Sequence, residues 1–383
     1  MDIRNIEALD IGAGRVEVRA VVAGVSLEIR LPADRFNARA LGDALVVSTL
    51  VPAMRAGSTL RLPTSVPVST MLVQHLPVIQ RIYRNWNCTL HEVELDARTE
   101  TPANDCAQTG LFYAGGIDSS YSMIAHEHEV DVLITVLGFD MAMDEQEMED
   151  NRVRNTAFAR AHGKDIVFVE SNHRIFLRQL GVSRTFVFGA MLASVALLLG
   201  LRRCYVASSH SVGHLRPEGS HPVLDGYYSN GSTEIVHDDV TVSRFGKTRA
   251  IAARPDILGN LRVCWDYPNE NCGRCLKCLR TMAALKLCGT RGPFPDALSM
   301  PMVRQMAART ELDYIVEMAV EADRAGDEPM VRALRSGLRR QDFKEALRHL
   351  AYAVTMRKLH RPGGSPQERE LVKYDLRPDL DLR

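Results

Sequence analysis

Apolar and polar residues alternate along residues 15–31 (RVEVRAVVAGVSLEIRL), which predicts two strands joined as a hairpin. Residues 36–55 carry apolar positions at helical spacing, and 68–86 reads as a second helix with Pro77 as a kink point. A strand is expected at 90–96. The polar stretch ARTETPANDCAQTG that follows has no period, so a domain boundary is expected near 97–109. From 110 the pattern changes to a strand at 111–113, a helix at 119–128, a buried strand at 130–137 and a helix at 144–162. A strand at 165–169, a long apolar helix at 186–201 and a strand at 204–207 complete the series. Repeated βα units predict an α/β fold, a parallel sheet with helices on both faces, whose ligands bind at the carboxyl ends of the strands. From 293 onward the segments 301–308, 311–324, 328–339 and 342–358 have helical periodicity, and the last twenty-odd residues read as a loose tail. The expected organisation is therefore a small α+β domain over 1–105, a nucleotide-binding α/β domain over 106–292 and a helical region over 293–383.

Composition narrows the function. The chain has 383 residues, 46% hydrophobic and 25% charged, with a formal net charge of zero. It has no global positive field to hold nucleic acid, although a local patch stays open. The opening MDIRNIEALDIGAGR lacks the apolar run of a signal peptide. The longest apolar stretch, 186–201, is sixteen residues, short of the roughly 20 a membrane span needs, so it reads as a buried helix and no membrane association is expected. Four of the eight cysteines crowd into 264–278, while Cys88, Cys106, Cys204 and Cys288 are scattered. That spacing points to a metal site in a reducing cytoplasm rather than to a disulfide framework.

The first chemical motif is Ala114-Gly115-Gly116-Ile117-Asp118-Ser119-Ser120, between a strand and a helix. Adjacent glycines let the backbone approach an anion, and the helix N-terminus presents N–H groups to it. Ser119 and Ser120 add hydroxyl donors, and Asp118 can hold a magnesium ion that bridges phosphates. No GK[ST] follows, so this is not a Walker loop. The second motif is C-x7-C-x2-C-x2-C at Cys264, Cys272, Cys275 and Cys278. Thiolates at this spacing close a tetrahedron around zinc, with an iron–sulfur cluster as the alternative. A closed four-thiolate site is structural, and it would pin the segment that leads into a helix at 279–287.

AGGIDSS resembles the SGGxDS motif of the PP-loop ATP pyrophosphatases, with Ala114 where that motif has serine. The loop followed by the four-cysteine knuckle and a nearby arginine, Arg280, is similar to 7-cyano-7-deazaguanine synthase and its relatives over about residues 110–290. The resemblance implies that ATP is split to AMP and pyrophosphate, with AMP passed to a substrate oxygen. It implies that the strand end at Leu137 and Gly138 meets adenine, and that Arg244 or Lys247 in SRFGK neutralises charge on departing pyrophosphate. Ser208, beyond a later strand, faces the nucleotide in this reading.

The expected reaction is adenylation of a small-molecule carboxylate or amide, with an amine or ammonia then forming a C–N bond. ATP, Mg2+ and Zn2+ are the implied cofactors, a homodimer is expected, and the first hundred residues are a candidate surface for a protein partner. Two alternatives stay open. One is a non-catalytic ATP-binding scaffold, motivated by Ala114 and the added domains. The other is a tRNA- or nucleobase-modifying or sulfur-transfer enzyme of the same class, for which Cys106 and Cys204 are the available thiols. His210, His214 and His221, with Asp225 and His237 beyond, lie in a Gly/Ser/Pro-rich stretch that reads as a substrate-recognition loop rather than a second metal site. Arg216 in the same loop could pair with a substrate carboxylate.

Overall fold

The computed structural model describes residues 1–101, 106–139 and 142–339, without the side chain of Asp313. The expected helix at 342–358 and the tail lie outside the described residues. The chain runs β1 (Ile3–Gly12), β2 (Arg15–Val22), β3 (Val25–Pro32), α1 (Leu41–Ala56), β4 (Leu60–Arg61), β5 (Val68–Ser69), α2 (Thr70–Trp86), β6 (Leu95–Asp96), β7 (Thr99–Glu100) and β8 (Thr109–Phe112). It continues through α3 (Ile117–Ala125), β9 (Val132–Leu137), α4 (Glu145–Ala161), β10 (Asp165–Ser171), α5 (His173–Gln179), α6 (Phe188–Leu199), β11 (Arg203–Val206) and β12 (Glu234–His237). The rest is helical: α7 (Arg244–Ala252), α8 (Pro255–Leu258), α9 (Leu276–Leu287), α10 (Met300–Ala307), α11 (Leu312–Arg324) and a further helix over 328–339.

One eight-stranded mixed sheet has the order β1-β2-β3-β10-β9-β8-β11-β12. The last five of these strands are mutually parallel, while β1, β2 and β3 are antiparallel and β3 joins β10 antiparallel. β8 is buried at all four positions, as a strand covered on both faces must be. The chain moves from β8 to β9 and β10 on one side, then returns to β11 and β12 on the other. The strand order therefore reverses at β8, and open α/β sheets bind ligands at the carboxyl ends beside such a reversal.

The chain divides into two compact units. The first is Met1–Ala114 with Ser122–Thr241, and the second is Gly115–Tyr121 with the described residues from Val242 onward. This differs from the separate domain expected over 1–105. The hairpin β2–β3 extends the parallel sheet through Glu170↔Arg30 and Ser171↔Ile29, and Val18, Leu27, Leu45 and Leu72 share one buried core with Val132, Val169 and Val195. The apolar run expected as a helix at 186–201 becomes α6, buried at eleven of its twelve positions and packed on α1. Among the described residues no single helix is long and apolar enough to cross a membrane; one pair bent by 114°, 173–179 with 184–199, meets the criterion only jointly.

The predicted strand at 90–96 survives only as β6, and β1 was not expected. In β1 the bulges between Arg4 and Glu7 and between Asp10 and Gly12 shift the faces, so its apolar residues do not alternate. Asp144 caps α4 through a reciprocal capping box with Glu147, which explains why its predicted start is sharp.

His173 at the start of α5 is fully buried, with Nε2 against Ser48 Oγ and Nδ1 against Ser171 Oγ. Burial pushes its pKa down to about 3. The unfolded chain takes up a proton near pH 6.5, and the folded chain does not until about pH 3. Stability is therefore expected to fall as the pH drops through 6.5, by about 2 kcal/mol at pH 5. Urea midpoints at pH 7 and pH 5 measure this, and the extra acid sensitivity should vanish in His173→Asn.

Candidate functional site

Beyond β8 the chain enters the glycine loop and then α3. Gly115 sits at φ +73°, and a Cβ there would lie 3.1 Å from the carbonyl oxygen of Asn260, so a side chain is both strained and crowded. The Gly115 carbonyl accepts a hydrogen bond from Arg262 N at 2.7 Å. A Cβ on Gly116 would meet nothing within 4 Å, so this stretch of backbone faces open space. Ser119 Oγ donates weakly to Gly116 O at 3.4 Å. Ser120 Oγ is buried and has no hydrogen-bond partner, which leaves a hydroxyl at the helix N-terminus without a bond.

The expected charged residues gather on this loop. Arg244 opens α7 and donates from Nη1 to Asp118 Oδ2 at 2.9 Å and Oδ1 at 3.2 Å. Their side chains are 14% and 18% exposed, so the pair is largely out of water. Burial opposes the Arg244 charge, and Asp118 with Tyr314 outweighs it, so its pKa rises. Arg280 of α9 stacks on the Tyr314 ring at 5.0 Å and donates to Glu311 at 3.1 Å; burial and the Arg244 charge lower its pKa. Lys247 lies one helical turn beyond Arg244. It is buried rather than solvated, with Nζ 5.6 Å from the Tyr121 ring centroid. Ser243 caps α7 by accepting from Gly246 N at 3.0 Å. The sequence points to Arg280 only as the arginine beside the cysteine knuckle and does not point to Glu311 or Tyr314; long-range packing brings Arg280 and Tyr314 within electrostatic reach of Asp118, and no local spacing reports that.

In the first unit, Ala114 is exposed just beyond β8, Leu137 ends β9 and Gly138 follows it. Gly138 takes φ +86°, and a Cβ would come within 2.9 Å of Ser171 O. Leu137 and Gly138 line a cavity of about 520 Å³, with Glu28, Arg30, Glu170 and Arg174 also on its wall. That volume suits a nucleobase or a small polar ligand. Ser208, beyond β11, is buried and donates its hydroxyl to His210 O at 2.6 Å.

Cys264, Cys272, Cys275 and Cys278 converge, with all four sulfurs within 4.8 Å of one another. Cys264–Cys275 and Cys272–Cys278 are each separated by 3.9 Å. A tetrahedron with metal–sulfur bonds of about 2.3 Å has edges of about 3.8 Å, so the cluster could bind a single metal ion such as zinc. Gly273 at φ +68° makes the turn between ligands. Backbone N–H groups of Asp266, Arg274, Cys275 and Cys278 point at Cys264, Cys272, Cys272 and Cys275 sulfurs at 3.3, 3.4, 3.2 and 3.5 Å, which favours thiolates. Asn271 staples the knuckle by accepting from Val263 N at 2.8 Å and donating to Leu261 O and Pro293 O at 2.8 and 3.0 Å. Hydrogen bonding to Cys275 pushes the Cys278 thiol far up, so four such sulfurs do not ionise together without a cation.

Cys204 is fully buried in β11, and burial pushes its thiol well above the ordinary range, which removes it as a sulfur-carrying nucleophile. His210, His214 and His221 do not converge with a third ligand atom; among the described residues the four cysteines are the one cluster able to hold a metal. Comparison of the chain with protein-family models, curated proteins and solved structures returned no match.

Proposed function

We propose that this protein is an ATP-dependent ligase of the PP-loop class, similar to the 7-cyano-7-deazaguanine synthases. In this reading it adenylates a small carboxylate or amide, releases pyrophosphate and forms a C–N bond. The observation that carries the reading is the Gly115–Ser120 loop, which leaves a parallel strand at a reversal of strand order and enters a helix. It offers open backbone at Gly116 and an unbonded hydroxyl on Ser120.

Backbone N–H groups and the two serine hydroxyls would hold the phosphates. Arg244 and Lys247 would balance charge on pyrophosphate as it leaves. Asp118 would hold magnesium, which supplies charge neutralisation between phosphates when bound. The four cysteines would hold zinc as a closed structural site, pinning the 264–275 segment to α9.

Pyrophosphate release from ATP tests this. With candidate carboxylates, wild-type protein is expected to produce pyrophosphate and AMP, and Asp118→Ala is expected to lose at least 100-fold of that rate. No ATP-dependent pyrophosphate with any carboxylate would sink the enzyme reading. A second reading, ATP binding without chemistry, draws support from one observation: Asp118 and Arg244 satisfy each other. It predicts nucleotide binding with no pyrophosphate.

A further inference from the structure

At the carboxyl end of β12, His237 stands in register with Val206, the last residue of β11. Its side chain is 5% exposed, and Nδ1 lies 2.8 Å from Oδ2 of the fully buried Asp225. Ser220 Oγ donates to the same carboxylate oxygen at 2.9 Å, and the other oxygen accepts from His221 N at 3.1 Å. Ser220 is fixed because its neighbour Gly219 accepts from Gly189 N at 2.6 Å. A Cβ on Gly219 would lie 2.3 Å from Phe188 N, so no other residue fits there.

A carboxylate only accepts, so Nδ1 carries the proton and Nε2 is left as a bare acceptor. Nε2 is buried and has no hydrogen-bond partner. His210 repeats the pattern with its nitrogens exchanged: Nε2 faces Glu218 at 2.9 Å, and Nδ1 is buried without a partner. His221 lies within electrostatic reach of both histidines and both carboxylates, and the phenols of Tyr83 and Tyr228 lie within reach of Asp225. Such an arrangement wants a donor. Two acceptor nitrogens backed by two carboxylates favour N–H groups with positive charge, because a buried acceptor left unmet is costly and a donor recovers that cost. Among the described residues no third ligand atom converges with them, which speaks against a metal.

The geometry points to a subsite for ammonium or a protonated primary amine at His237 and His210. Asp225 keeps the imidazole in the accepting tautomer and is a positioning residue.

The test uses the full chain with 15N-labelled histidine and no nucleotide. Ring-nitrogen spectra are recorded at one pH with ammonium chloride and with tetramethylammonium chloride, which has no N–H. Ammonium alone is expected to shift His237 Nε2 and His210 Nδ1, and buried His173, whose two nitrogens are partnered, should stay unmoved. Asp225→Asn should remove the response while His237 remains, because an amide donating to Nδ1 turns Nε2 into a donor. No shift, an equal shift with tetramethylammonium, or a full response in Asp225→Asn overturns the proposal.

Discussion

Cys275→Ser protein is expected to carry little or no bound metal and to unfold its second compact unit far below the wild-type temperature. Cys275 faces Cys264 across one edge of the cluster, accepts from Cys278 N and caps α9 through that bond. Serine shortens the reach and supplies a poor ligand, so three thiols remain around an incomplete tetrahedron. Apparent binding free energies of structural zinc run to about 10–16 kcal/mol, comparable to the whole stability of an ordinary domain, about 5–15 kcal/mol. A strong chelator should reproduce the effect on wild-type protein. Elemental analysis and a thermal melt are the measurements, with Cys88→Ser, an exposed cysteine outside the cluster, as the unaffected control. Metal content unchanged in Cys275→Ser would refute the site. Iron in place of zinc, with the visible absorption of a cluster, would refute the single-ion geometry drawn from the 3.9 Å sulfur spacings.

Arg244→Met is expected to be the next most damaging change. It leaves Asp118 in a largely dry setting without its cation, and breaking a buried pair from one side costs about 3–5 kcal/mol. Asp118→Asn should cost less, because the amide oxygen can still accept from Arg244, although the Arg244 charge then acts on Arg280 without the Asp118 charge to offset it. The double variant should be more stable than the sum of the two losses, with a coupling of about 1–3 kcal/mol. Urea denaturation of the four proteins measures the cycle. Strict additivity would mean that the pair carries no energy, and the loop would then owe its position to contacts such as that of Arg262 N with the Gly115 carbonyl.

The parts of this molecule that were legible in the sequence are those with local causes. The period-two hairpin, the capped α4 and the apolar α6 follow from side-chain spacing and end chemistry. The cysteine cluster was readable because x2 spacing brings sulfurs together whatever the rest of the chain does. Long-range placement was not readable. Nothing in residues 15–31 says that β3 will add to the edge of β10 rather than build a domain of its own. Asp118 and Arg244 were each picked out for phosphate chemistry, but 126 positions separate them, and their mutual bond appears only in three dimensions. The acceptor state of His237 depends on Asp225, twelve residues away, with a turn and a strand start between them.

The glycine loop belongs by sequence to the middle of the chain and by packing to the unit that begins at Val242. A protein cut after Thr241 therefore yields no self-sufficient halves: the downstream piece would be missing seven residues of its own interior, Asp118 among them. On a ribosome the same fact imposes an order. Asp118 emerges long before Arg244, and the loop must wait for more than a hundred further residues before its own neighbours exist.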